Sequence, residues 1–246
     1  MVRMQANSAV MAALRGQVDA LPAGGARDAA AAALDCGKHL RAHLACACGH
    51  QAPAALDMAC AVELLHAASL VVDDLPGFDN AAQRRGAPSV HAQFGASAGI
   101  LTAHLLTSMA YRAAARVSGA VAELAQAEQD MCLSQWRETL EGSAGETEKT
   151  APLFAAAAAM GALAGGCEPS PWRALGAELG TLYQHLDDWR DGDCRSAAQM
   201  ERIQRGQAAA MQQTQALVGT QAEHPLHAYL DGFIALVASD TALKAE

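Results

Sequence analysis

The chain has 246 residues, enough for one large domain or two small ones, and is 52% hydrophobic with only 4% aromatic residues. Its 17 basic and 26 acidic residues give a net charge of −9, which argues against the basic face that a nucleic-acid binder presents. The 7 cysteines, at 36, 46, 48, 60, 132, 167 and 194, include no CxxC pair, so they read as reduced thiols rather than a disulfide frame or a zinc site.

Alanine dominates the apolar residues and β-branched runs are few, which favours helix over sheet. The opening MVRMQANSAVMAALRGQ lacks a signal-peptide core, and no uninterrupted apolar run reaches about 18 residues. No membrane span and a cytoplasmic location are therefore expected. After an LPAGG break at 21–25, residues 26–49 read as one helix. A second covers 54–75 and is stopped by Pro76 and Gly77. Residues 77–88 form a loop, followed by long helices over 96–116 and 118–141. A polar joint at 141–148 precedes a helix that restarts near 147–149 and ends at Gly165–Gly166. Residues 171–190 are helical up to a DGD stretch, and 196–246 hold two shorter helices split near 223–225. No alternating strand pattern, repeat or disordered linker interrupts this series. The expected fold is all-α: one bundle-like domain over 1–246, with a short region after about 193.

Two acidic clusters stand out. The first is VVDDLPGFDN, with Asp73 and Asp74 in the last turn of an apolar helix and Asp79 just beyond. Carboxylates there face the negative end of the macrodipole, a placement that does nothing for stability and that a bound cation would explain. The second is QHLDDWRDGD, with Asp187, Asp188, Asp191 and Asp193, where Asp187 and Asp191 share one helix face. Two such helix ends facing each other suit a hard cation such as Mg2+, which takes carboxylates, waters and substrate phosphates. The plainer alternative is a pair of solvated, Asp-rich helix ends.

An anionic substrate also needs direct cationic partners. Lysine is scarce: Lys38, Lys149 and Lys244. Lys38 and Arg41 lie three apart, on one face of the 26–49 helix as read here. Arg84 and Arg85 follow the first acidic cluster, and Lys149 falls at a helix start, where backbone N–H groups favour anions.

At this point the sequence resembles a known family, the trans-prenyl diphosphate synthases (polyprenyl synthetases). HAASLVVDDLPGFDNAAQRRGAPSVHAQFG, from His66 to Gly95, resembles that family's first aspartate-rich region, and YQHLDDWRD, from Tyr183 to Asp191, resembles the second. EKTAPLF at 148–154 and CGKHLRA at 36–42 resemble its Lys-Thr and Gly-Lys-Arg-x-Arg-Pro segments. The resemblance implies the isoprenoid synthase-type helical bundle around a central cavity, a homodimer, and head-to-tail condensation of an allylic diphosphate with isopentenyl diphosphate. It implies that Asp73, Asp74, Asp79, Asp187, Asp188 and Asp191 hold three Mg2+ around the allylic diphosphate, with Arg84 and Lys149 also touching it. Lys38, Arg41, His66 and Arg85 would bind isopentenyl diphosphate, and Thr150 and Gln184 would line the cavity near the ionising carbon. His66 read without the family is a general-base candidate or a satisfied core histidine.

The chain departs from the family pattern in places. His39 stands where the family usually has Arg, Ala42 where it has Pro, and Ser134 where it has Gly in a Gly-Gln segment. The family's Gly-Lys-rich segment after the second cluster has no counterpart. These changes fall on the second-substrate site and spare the acidic clusters. They keep open a terpene cyclase or diphosphate lyase, which ionises an allylic diphosphate without condensing it, and a modulatory subunit of an active synthase. In the family the sequence resembles, the residues four and five before the first Asp pair form part of the chain-length floor; here they are Ser69 and Ala68, both small, so the resemblance implies that a growing chain passes and the product exceeds ten carbons.

Overall fold

The computed structural model describes residues 2–34, 37–50, 52–142, 150–191, 196–219, 221 and 223–242. The helices are α1 Val2–Asp19, α2 Gly25–Leu34, α3 Leu40–Cys48, α4 Ala55–Asp73, α5 Val90–Phe94 and α6 Ala96–Ala114. They continue with α7 Ala120–Trp136, α8 Ala151–Ala164, α9 Pro169–Asp191, α10 Ala197–Val218 and α11 Pro225–Ala242. A π-helical turn, Arg137–Glu141, extends α7. The all-α expectation holds, with one small exception: β1 (Gln83–Arg84) and β2 (Ala87–Pro88) form a two-stranded antiparallel hairpin.

The bundle is organised about α4. Its apolar residues leave almost no polar stripe, the pattern of a helix covered on every side. By length and composition α4 could cross a membrane, but 67% of it is buried inside the bundle, which makes it the core helix here. It packs against α3, α6 and α8, and α8 pairs extensively with α9. Alanine and glycine set these spacings. Ala156, Ala157, Ala158 and Ala159 of α8 are all buried. A Cβ on Gly180 of α9 would lie 2.6 Å from the Cα of Ala151, so the two backbones approach closely where α8 begins. That approach fixes Thr150, which precedes Ala151, against the later turns of α9.

The C-terminal helices complete the same core. α10 packs on α9, and α11 on α3 and α9. Phe233 of α11 meets the edge of Phe154 at 6.3 Å between ring centroids. Ser196 caps α10 by accepting from the Gln199 N–H, as Ser89 caps α5 by accepting from that of Ala92.

Two sequence expectations need correction. The 26–49 segment is not one helix: α2 ends at Leu34, α3 starts at Leu40, and His39 before it is left-handed, with φ 47° and ψ 37°. Lys38 and Arg41 therefore do not share a helix face; Lys38 lies in the irregular segment and Arg41 in the first turn of α3. Gly37, a poor helix former, lies in the gap, and His39 makes a tertiary contact to Glu63 on α4. Similarly, the loop over 77–88 contains the hairpin, whose strands of 2 residues are too short to leave an alternating signature.

Candidate active site

A cavity of about 590 Å³ lies between α4, α6, α7 and the start of α8. Its walls are mostly apolar, including Leu65, Val72, Phe78, Met131 and Leu153. Ala68 and Ser69 line it, Asp73 closes the end of α4 on it, and Thr150 enters from α8.

The first acidic cluster is built by the way α4 stops. Asp73 is its last residue and Asp74 its cap. Pro76 cannot continue the helix, and the chain folds back: the Asp79 N–H donates to the Asp73 carbonyl at 2.9 Å and the Ala81 N–H to the Asp74 carbonyl at 3.2 Å. The third aspartate is thereby returned to the first pair. The hairpin follows, turning at Arg85 (φ 54°) and Gly86 (φ 83°), the positive pair that a tight two-residue turn demands. Arg84, on β1, donates to Asp74 Oδ1 through Nε at 2.9 Å and Nη2 at 2.5 Å. Asp74 is 3% exposed. The hydrogen bond to Asp74 is the main reason the Arg84 guanidinium is held above its ordinary pKa. Arg84, expected on a substrate phosphate, bonds Asp74 here, and both bonds fall on one of the two Asp74 oxygens.

The second cluster ends α9. The Thr150 hydroxyl donates to Gln184 Oε1 at 2.7 Å, and Gln184 Nε2 donates to Asp188 Oδ1 at 2.8 Å. Thr150 also lines the cavity that Asp73 closes, so a continuous chain of hydrogen bonds runs from that cavity to Asp188. Asp187 lies in the same turn of α9. The Asp191 side chain, Lys149 and Asp193 lie outside what the structure describes.

A second cavity, of about 400 Å³, adjoins the first and is more polar. Lys38, Arg41, His66 and Arg85, drawn from three separate segments of the chain, all line it, with His39, Glu63 and Tyr183. Arg41 and His66 line both cavities and form the partition between them. The Arg41 guanidinium lies 4.8 Å from the centroid of the Phe154 ring, and its Nη1 donates to His66 Nε2 at 3.3 Å. Guanidinium can only donate, so this imidazole nitrogen accepts. Burial, and then the charge of Arg41, hold His66 down to about 3, so the ring is neutral near neutrality. A neutral ring whose acceptor is already occupied is ill placed to be a general base. The Nε of Arg41 is buried and has no hydrogen-bond partner among the described residues.

Sequence reasoning passed over Glu63. Its Oε2 takes a hydrogen bond from His39 Nδ1 at 3.0 Å and its Oε1 one from the Ala42 N–H at 3.2 Å. Burial alone would push this carboxyl up; the His39 hydrogen bond and nearby charge, Arg41 included, outweigh it and bring it down to about 2. A signal was present: Glu63 is the only charged residue in the middle of an apolar helix, three before His66 and on the same face.

The carboxylates of the two clusters are hard oxygen donors, the type Mg2+ selects. Among the described residues no group of three His, Cys, Asp or Glu is placed to hold a metal ion unaided. Such donors fit an ion that completes its shell with water and substrate phosphate oxygens, as Mg2+ does.

The apolar chamber with Asp73 at one end, beside a cationic pocket, sits in a helical bundle of the isoprenoid synthase fold, as comparison with solved structures shows. A geranyltranstransferase structure from Thermotoga maritima superposes with a TM-score of 0.81 at 22% identity, over 98% of this chain and 100% of that one. An isoprenoid synthase family member from Thermotoga neapolitana gives 0.77 at 24%, over 94% and 98%. The chain belongs to the polyprenyl synthetase family, whose sequence model matches residues 26–205. It is 40% identical over 166 residues to a geranylgeranyl diphosphate synthase of Cereibacter sphaeroides, spanning 61% of this chain and only 58% of that relative. It is 34% identical over 207 residues to one of Pantoea ananas, spanning 70% and 68%.

Proposed function

We propose that the protein is a Mg2+-dependent prenyltransferase that condenses an allylic diphosphate with isopentenyl diphosphate into a short-chain product. The observation that carries this reading is the gathering of Lys38, Arg41, His66 and Arg85 in one pocket that shares a wall with an apolar chamber ending at Asp73. A cyclase or lyase has no need for the second cationic pocket, and a modulatory subunit has no need for two acidic clusters. The names of the related sequences agree with a geranylgeranyl-type product.

In this reading Asp73, Asp74, Asp79, Asp187, Asp188 and Asp191 hold Mg2+, which when bound neutralises charge developing on the leaving diphosphate. Lys149 adds a cation to the same group. Thr150 and Gln184 orient Asp188 and present polar atoms near the ionising carbon. The apolar walls keep water from the allylic cation. Lys38, Arg41 and Arg85 hold isopentenyl diphosphate, and neutral His66 keeps Arg41 aimed. No side chain acts as a nucleophile, and the released diphosphate is the nearest base for the departing proton.

The same reading includes a homodimer and a cytoplasmic location, with residues 1–246 as one domain. Support for self-association comes from Ile100, Leu101, Leu133, Trp136 and Leu140, large apolar side chains 46–68% exposed along α6, α7 and the π-helical turn.

The test is incubation of purified protein with Mg2+, farnesyl diphosphate and labelled isopentenyl diphosphate. A labelled prenyl diphosphate one unit longer is the expected product. Farnesyl diphosphate consumed with the label left untouched would replace condensation by cyclisation or lysis.

A further inference from the structure

His39 is the residue whose left-handed backbone breaks α2 from α3. That conformation is unfavourable for a residue with a Cβ and persists where the surroundings over-determine it. Here its side chain, 7% exposed, is bonded to the buried carboxylate of Glu63 while lining the cationic pocket. An ionised carboxylate only accepts, so His39 Nδ1 carries the hydrogen directed at Glu63. In a neutral ring Nε2 would then hold a lone pair, which repels a phosphate oxygen. Only the imidazolium has a donor on each edge, one for Glu63 and one for an anion.

We propose that His39, clamped by Glu63, contacts the diphosphate of the second substrate through Nε2 as the imidazolium, so that this substrate binds together with a proton. The inference rests on reading the 400 Å³ pocket as the isopentenyl diphosphate site. The groups facing His39 there are Lys38 beside it, Arg41 on α3, Glu63 and His66 on α4, Arg85 on the hairpin turn and Tyr183 on α9. His66 is not the proton acceptor, because its Nε2 already takes a hydrogen from Arg41. Glu63 stays ionised throughout the range in which an imidazole changes charge.

The experiment is calorimetric titration of isopentenyl diphosphate, in EDTA, into the wild type, His39→Arg and His39→Asn between about pH 6 and 9. EDTA keeps the metal-binding clusters out of the measurement. The ligand's own ionisation is common to all three proteins and cancels in ratios of affinity. His39→Arg fixes the charge; His39→Asn removes it with a side chain that tolerates the left-handed backbone. The affinity of the wild type relative to His39→Arg should fall roughly tenfold or more as the pH rises over that range. Buffers of different ionisation enthalpy should report proton uptake by the wild type in excess of either variant. His39→Asn should bind more weakly than His39→Arg at every pH, with the same pH slope. A pH-independent ratio with the ligand still bound would overturn the imidazolium contact and leave the pocket assignment standing. Absence of binding to all three folded proteins would remove the pocket assignment, and this inference with it.

Discussion

The side-chain amide of Gln184 donates to Asp188 at 2.8 Å, one turn further along α9, while its oxygen accepts from Thr150 at the start of α8. Asp188 is therefore aimed by a neighbour that is itself aimed across a helix pair. Outer partners of this kind typically account for 10- to 100-fold in metal affinity or activity (order of magnitude). Gln184→Leu should lower kcat by about that factor and raise the Mg2+ concentration for half-maximal rate. Thr150→Val should shift both in the same direction by less. Unaltered Mg2+ dependence in Gln184→Leu would remove the aiming role.

Asp74 is nearly buried, and its Oδ1 accepts from Arg84. Asp74→Ala should abolish turnover while far-UV circular dichroism stays close to wild type, since the residue caps α4 without any capping hydrogen bond from its side chain. Full activity in this variant would defeat the metal-site assignment.

Stability should fall in acid. His66 is held down to about 3 against an ordinary 6.5, and Glu63 to about 2 against 4.5. Both folded states resist protonation, so both contributions are complete above the unfolded values and are lost as pH falls through the folded ones. His66 acts between about 6.5 and 3, at up to ~1.4 kcal/mol per pH unit, and Glu63 joins below about 4.5. Urea midpoints measured from pH 7 to 4 should drop, and His66→Gln should flatten the upper part of that curve. A midpoint independent of pH over this range would mean that His66 is less desolvated, and Glu63 less strongly paired, than their packing implies.

Much of the site was readable because it is encoded locally. Asp73 and Asp74 at the end of an apolar run, Pro76 behind them and the paired aspartates near the end of α9 each declare themselves within a few residues. What was hidden depends on contacts between distant residues. The left-handed His39 before α3 bonds Glu63, 24 positions away, a contact that no local pattern announces. The hairpin occupies too few residues to leave a period, and the pairing of Arg84 with Asp74 requires that turn to exist first. The π-helical turn after Trp136 likewise replaced the end of the helix expected over 118–141.

The close approach of α8 and α9 makes Gly180 a lever on the site. Its added Cβ would meet backbone, the Cα of Ala151 at 2.6 Å, rather than a flexible side chain. Gly180→Ala should destabilise the fold by roughly 1–3 kcal/mol through overpacking. It should also reduce kcat by moving Thr150 away from Gln184. Loss of stability with unchanged kcat would show that the two helices shift together.

Ser69 lines the larger cavity and donates to the His66 carbonyl at 2.9 Å. Ser69→Phe should fill space that a growing chain would occupy and shift the product profile towards shorter prenyl diphosphates, read by chromatography after dephosphorylation. An unchanged profile would place the limiting wall elsewhere.

Arg84 and Arg85 are consecutive residues on one ribbon, yet they serve different clients, an aspartate at the end of α4 and the pocket beside His39. The hairpin is thus a short tie between the end of α4 and the wall of the polar cavity, with two neighbouring guanidinium groups anchored on different parts of the bundle.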